Sequence, residues 1–82
     1  MSEAEIAAKL HAYYVRVFPH PGRSLEADTD LLLEWFVDSF GVIQTVQFIE
    51  DCFGVSVKRG EINASNFHSI RALAGFVRVK LG

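Results

Sequence analysis

The chain has 82 residues, of which 50% are apolar and 22% are charged, and its formal net charge at pH 7 is -2. Separate hydrophobic cores usually need about 100 residues each, so this length predicts a single domain over residues 1–82. The composition is that of a folded protein. The slightly negative charge, with scattered basic residues, argues against nucleic-acid binding, which depends on clustered Lys and Arg.

The cysteine and histidine content argues against an internal disulfide and against a structural metal site. Cys52 is the single cysteine and has no partner for an internal disulfide. His11, His20 and His68 do not combine with it at metal-ligand spacing, so we expect no metal site. Near the end of a predicted helix, Cys52 is expected to be a small, partly buried apolar residue.

The beginning of the chain, Met1–Glu5, is acidic where a signal peptide would be basic. No apolar run approaches the roughly 18 residues of a membrane span. These features lead us to expect a cytoplasmic protein with no membrane partner.

The first predicted helix covers residues 3–18. Ser2 and Glu5 have the spacing of a capping box, and Pro19 and Pro21 end the helix because proline cannot donate a backbone hydrogen bond. Its large apolar residues recur at helical spacing and are Ile6, Leu10, Tyr13, Tyr14 and Val17.

A long ordered loop is predicted next. Residues 20–29 are mostly polar, and residues 28–30 have the side chains to cap a turn. Residues 31–37 are nearly all apolar but have no clear period, so their conformation stays open. Trp35 and Phe36 are expected to be buried.

The second predicted helix begins after Asp38, a good N-cap residue, and ends at Gly54. One face of this helix is expected to form core, because apolar residues recur there at intervals of four, three and four: Val42, Val46, Ile49 and Phe53. Residues 55–57 are expected to be extended.

The remaining sequence predicts a short helical turn over residues 62–67 and a last helix capped by Ser69. The inward side chains of the last helix are expected to be Ile70, Leu73, Phe76 and Val77. The predicted fold class is therefore all-α: a small four-helix bundle of three main helices plus one short helix, with a long loop between helices 1 and 2.

No catalytic site can be assembled from these residues. Asp38 is adjacent to Ser39, which is not a triad geometry with His68, and no glycine-rich elbow surrounds the serine. Glu50 and Asp51 are helix neighbours that point in different directions. We therefore expect that the protein is not an enzyme.

Three segments together resemble the acyl carrier protein family, which includes aminoacyl and peptidyl carriers. Residues 37–41 read Val-Asp-Ser-Phe-Gly, residues 48–57 read Phe-Ile-Glu-Asp-Cys-Phe-Gly-Val-Ser-Val, and residues 62–70 read Ile-Asn-Ala-Ser-Asn-Phe-His-Ser-Ile. They are similar to the family's attachment motif, to the end of its second helix and to its short third helix, in the same order and at the right spacing. The likeness covers about half of the chain.

The resemblance implies that Ser39 is the covalent attachment point of a 4'-phosphopantetheine arm derived from coenzyme A, and that Asp38 and Phe40 form the motif a transferase recognises. It implies three kinds of partner: a phosphopantetheinyl transferase, an acyl- or aminoacyl-loading ligase or transferase, and downstream biosynthetic enzymes. Acyl or aminoacyl groups would be held as thioesters on a protein that is itself a monomer.

The resemblance also implies a partner-recognition surface on the second helix, beside Phe40: Ile43, Gln44, Gln47, Glu50 and Asp51. Two glutamines stand where many family members have acidic residues, so attraction by charge is expected to be weaker and a specialised pathway is favoured. Residues 35–37 replace the usual glycine-containing segment before the motif.

Two alternatives of other classes stay open at this stage. One is a carrier-like helical interaction module that is not modified, which acts through the surface around Phe40 and Ile43. The other is a compact helical nucleic-acid binder, which would need a basic face. The cargo of a carrier is chosen by the enzyme that loads it, so the sequence does not identify it.

Overall fold

The computed structural model describes residues 1–82 and has four α-helices and no strand. Helix α1 covers Glu3–Val17, α2 covers Ser39–Phe53, α3 covers Ala64–Phe67 and α4 covers Ile70–Leu81, with a 3-10 turn at Arg59–Glu61. The prediction of an all-α bundle with one short helix is confirmed. The 3-10 turn was not predicted from the sequence.

Helix α1 begins at the predicted capping box. The Ser2 hydroxyl accepts the Glu5 N–H at 3.1 Å, and the Glu5 carboxylate accepts the Ser2 N–H at 2.8 Å. Helix α1 packs chiefly against α4. Its buried residues lie on one face and are Ile6, Leu10, Tyr13 and Tyr14. Four of the five apolar positions identified in the sequence are therefore core, and Val17 packs at its edge.

Helix α2 ends as predicted at Gly54, whose φ of 69° is the left-handed conformation that glycine adopts without strain. Of the predicted apolar stripe, Ile49 and Phe53 are buried, and Val42 and Val46 are half-buried and pack against the core. Gly41 and Thr45 are also buried, which the sequence did not predict. The Thr45 hydroxyl can be buried at little cost because it is hydrogen-bonded.

The long loop between α1 and α2 is ordered because other segments bind its backbone. Leu31 N–H donates to the His68 carbonyl at 2.8 Å, and the Ala27 carbonyl accepts the Arg71 N–H at 2.9 Å. The Asp30 carboxylate accepts two successive backbone N–H groups, both at 3.0 Å, as a turn cap. The loop is therefore attached to the junction between α3 and α4.

Two expectations about burial are wrong. Phe36 is 68% exposed, because its backbone turns the side chain outward while Trp35 and Val37 take the buried positions on either side. Cys52 is exposed as well. It immediately precedes the buried Phe53, and one residue along a helix turns the side chain by about 100°, away from the core face.

The second half of the fold is closed by α3 and α4. Ser69 caps α4 by accepting the Ala72 N–H at 3.1 Å. Lys80 near the end of α4 donates to Glu61 at 2.8 Å and so holds the 3-10 turn. The residues of α3 and α4 that are fully buried in the core are Phe67, Ile70, Leu73, Ala74 and Val77, and Phe76 packs against them at the edge.

Candidate functional site

Ser39 is the first residue of α2 and is exposed. Asp38 caps the helix, and its Oδ1 accepts the Gly41 N–H at 2.9 Å. The backbone N–H groups of Ser39 and Phe40 have no acceptor in the protein. The serine hydroxyl thus lies beside two free donors at the positive end of the helix dipole, which is an environment that suits a phosphate group.

The first turn of α2 is fixed against the rest of the protein at Gly41. A Cβ on Gly41 would lie 2.8 Å from Cγ1 of Val37 and 3.1 Å from the ring of Phe18. A contact of 2.8 Å is shorter than real Cβ atoms show, so a side chain at position 41 would force Val37 or Phe18 to move. Glycine therefore lets the start of α2 lie directly on the end of α1 and on the residue just before the Asp38–Ser39 pair.

A buried pair of hydroxyls provides a second link between α1 and α2. Thr45 donates to the Gly41 carbonyl at 2.9 Å, and the Tyr14 phenol donates to Thr45 Oγ1 at 2.6 Å. Burial raises the pKa of the Tyr14 phenol well above its ordinary value, and the hydrogen bond with Thr45 only partly opposes this shift. The phenol therefore stays protonated and can act as the donor.

The segment before the motif keeps a tight turn without glycine. Phe36 has a φ of 57°, the only positive φ outside glycine in this structure, which costs about 1–2 kcal/mol for a residue with a Cβ. On one side, the indole of Trp35 donates to the Phe18 carbonyl at 2.8 Å and His20 donates to the Trp35 carbonyl at 2.9 Å. On the other side, Val37 N–H donates to the loop backbone at 2.9 Å. These bonds hold the strained turn in place.

The outer face of α2 is apolar near Ser39 and polar further along. Phe40 is 68% exposed and Ile43 is 63% exposed, and a spacing of three residues puts them on the same side of the helix. Gln47 is exposed and Gln44 is half-buried. The face adjoining the serine is therefore uncharged.

The two acidic residues near the end of α2 are both hydrogen-bonded within the protein. Glu50 is half-buried, and its Oε2 accepts the Val57 N–H at 2.9 Å. Asp51 is exposed and accepts the side-chain amide of Gln47 at 3.0 Å. Glu50 thus holds the extended segment after the helix, a role that its position in the sequence did not suggest.

A small apolar cavity of about 160 Å³ opens between α2, α3 and the loop. Five of its six lining residues are apolar, and the set is Leu32, Val42, Ile62, Asn63, Ala64 and Phe67. Val42 lies three residues after Ser39, about one helical turn along α2. The cavity is therefore close along the chain to the start of the helix.

His68 and Asp38, the two titratable side chains considered with Ser39 in the sequence, each have a hydrogen bond elsewhere. The His68 ring donates to the Ala64 carbonyl at 2.8 Å, and Asp38 Oδ1 accepts the Gly41 N–H at 2.9 Å. No three His, Cys, Asp or Glu side chains are grouped as a metal site would require. None of the helices has both the length and the apolar character needed to cross a bilayer.

Comparison with known proteins gives one informative match. The family model described as "phosphopantetheine attachment site" matches residues 8–77, which is most of the chain. A search of the curated proteins gives no match. Domains of this family are typically non-catalytic and work with transferases and biosynthetic enzymes. The chain belongs to the family of phosphopantetheine attachment domains, whose covalent cofactor is 4'-phosphopantetheine.

Proposed function

We propose that this protein is a carrier that holds acyl or aminoacyl intermediates on a 4'-phosphopantetheine arm attached to Oγ of Ser39. The observation that carries the proposal is the position of Ser39: an exposed hydroxyl at the first residue of a capped helix, beside two free amide groups and within the matched region. The terminal thiol of the arm supplies the group that holds the cargo as a thioester.

Ser39 Oγ is the nucleophile in the attachment step. It attacks the pantetheine-side phosphorus of the coenzyme A pyrophosphate, the phosphoanhydride P–O bond breaks, and the nucleotide bisphosphate leaves as the new phosphodiester forms. In this proposal the transferase supplies the base that takes the serine proton. Mg²⁺ bound with coenzyme A on the transferase would neutralise the charge that develops on the leaving group.

Once the arm is attached, the amide groups of Ser39 and Phe40 would be free to hydrogen-bond the phosphodiester, and Asp38 keeps the turn in the conformation that presents them. Helix α2 does not need to move to present the amide groups or the Asp38 turn, because its first turn is already held by Gly41 and by the hydroxyl pair of Tyr14 and Thr45. We infer that the protein is a substrate and a shuttle whose chemistry is performed by other enzymes.

We further propose a specialised pathway rather than a general one. Steering by charge grows with the number of charges on the docking face. Glutamines stand at positions 44 and 47, so the acidic side chains of α2 are limited to Glu50 and Asp51, near the far end of the helix. The apolar contacts of Phe40 and Ile43 would then supply most of the binding energy, which favours dedicated partners.

The test is modification by a panel of phosphopantetheinyl transferases with coenzyme A and Mg²⁺, followed by intact-mass and peptide mass spectrometry. Wild-type protein should gain the mass of one phosphopantetheine, on the peptide that contains Ser39, and Ser39→Ala should gain none. Ser56→Ala is the matched control, because Ser56 is also exposed but lies outside the helix start. A wild-type protein that no transferase modifies would instead support the unmodified interaction module.

A further inference from the structure

The strained turn at Phe36 is not explained by the stability of the fold. Glycine adopts a φ of 57° without strain and asparagine does so with little, yet this position carries a phenylalanine. Its side chain is 68% exposed, so burial of the ring contributes little to offset the strain. A strained residue that the neighbouring structure holds in place points to a role for its side chain.

The ring of Phe36 projects from a rigid support. Trp35 on one side is 2% exposed and Val37 on the other is 5% exposed, and the backbone of both is hydrogen-bonded. The ring of His20 lies 6.1 Å from the ring of Phe36, centroid to centroid. An aromatic side chain on a fixed turn loses little conformational freedom when a partner covers it, which is a property of residues that dominate binding.

Phe36 also lies close to the reacting atom. Ser39 is the third residue after Phe36, so their Cα atoms can be at most about 11 Å apart. An enzyme that brings a phosphorus atom to within bonding distance of Ser39 Oγ therefore works at the end of the molecule where Phe36 is exposed. The nearby exposed apolar residues are Leu33 at 75%, Phe40 at 68% and Ile43 at 63%.

The exposed parts of these four large apolar side chains amount to roughly 500 Å², which is about the apolar area on one side of a specific protein–protein interface. The position of this surface near Ser39 points to the enzyme that modifies that serine as the partner.

We propose that Phe36 is a specificity-determining contact for the phosphopantetheinyl transferase that modifies Ser39, and that its ring enters an apolar pocket beside the active site of that enzyme. This inference rests on the carrier function proposed above. It adds a residue before the helix to the recognition surface, which otherwise consists of residues on α2 and the Asp38 cap.

The test uses the transferase that modifies the wild-type protein fastest, and compares kcat/KM for the carrier as the varied substrate. Phe36→Gly and Phe36→Asn relieve the backbone strain, so their thermal midpoints should equal or exceed that of the wild type. Both should lower kcat/KM about tenfold, chiefly through a higher KM, because each loses a buried aromatic contact. Phe36→Tyr keeps the ring and should retain the wild-type value.

Val79→Ala is the matched control, since Val79 is an apolar side chain exposed to a similar degree, at 80%, but lies on α4, outside the apolar surface near Ser39. Its kcat/KM should change less than twofold. The inference is overturned if Phe36→Gly is modified as fast as the wild type, or if sedimentation shows that the wild-type protein dimerises and Phe36→Gly does not. If no transferase modifies the wild-type protein, the carrier function itself is refuted, and with it the role of Phe36 as a contact for the transferase.

Discussion

Gly41 and Gly75 provide a test in which the same substitution should have opposite effects. Alanine in place of glycine inside a helix stabilises a protein by about 0.5–1 kcal/mol through backbone entropy and helix propensity. A Cβ at Gly75, in the middle of α4, would have no atom within 4 Å. Gly75→Ala should therefore show the full gain.

At Gly41 the new methyl group would lie 2.8 Å from Val37 and 3.1 Å from Phe18. Both neighbours resist movement: Val37 is buried and its N–H is hydrogen-bonded, and Phe18 packs on the core with its carbonyl bound by an indole. Overpacking of this kind costs about 1–3 kcal/mol. After subtraction of the helix gain, Gly41→Ala should destabilise the protein by about 1–2 kcal/mol.

Thermal unfolding followed by circular dichroism measures both effects. For a domain of this size, 1 kcal/mol shifts the midpoint by about 4–8 °C, so Gly75→Ala should raise the midpoint by about 2–8 °C and Gly41→Ala should lower it by about 4–16 °C. Midpoints that move in the same direction in the two variants would show that the close approach at Gly41 is not rigid, and the account of how α2 is held would be refuted.

The hydroxyl pair between α1 and α2 gives two further predictions. Thr45→Val should lower the free energy of unfolding by about 1–3 kcal/mol, because it leaves the buried Tyr14 hydroxyl without a partner. Tyr14→Phe should lower it by about 1 kcal/mol. Urea unfolding of the double variant should show a loss clearly smaller than the sum of the two single losses, and additive losses would contradict the prediction. Because folding raises the pKa of the Tyr14 phenol, the unfolded chain loses this proton first, so the stability contributed by the protonated phenol is present below about pH 10 and is lost as the pH rises above it. Unfolding by urea between pH 8 and 11 should show this loss, and Tyr14→Phe should have a shallower dependence; equal slopes would contradict the pKa shift.

Local signals in the sequence predicted the helix boundaries well. The capping box of Ser2, the Asp38 cap and the left-handed Gly54 depend on residues within a few positions of one another, so the sequence alone displays them. The family resemblance likewise depends on short segments with fixed spacing. The all-α fold and the class of cofactor could therefore be predicted before the structure was known.

Features that depend on distant partners could not be predicted. The burial of Thr45 requires Tyr14, which lies 31 residues earlier, and a threonine in a helix otherwise indicates a polar face. Glu50 resembles an exposed surface residue until Val57 is seen to donate to it. Phe36 lies in an apolar run without a period, where sequence cannot tell which side chain a turn will direct outward.

The packing of α1 on α4 has a consequence for the order in which the protein can fold during synthesis. Helix α1 is made before the other three helices, but its buried face lies mainly against α4. Until Val77 has left the ribosome, residues such as Leu10 lack the partner that shields them from water. We therefore expect the nascent chain to stay without a complete core until α4 emerges, and the final turns of α4 to decide when Ser39 is first presented on a folded surface.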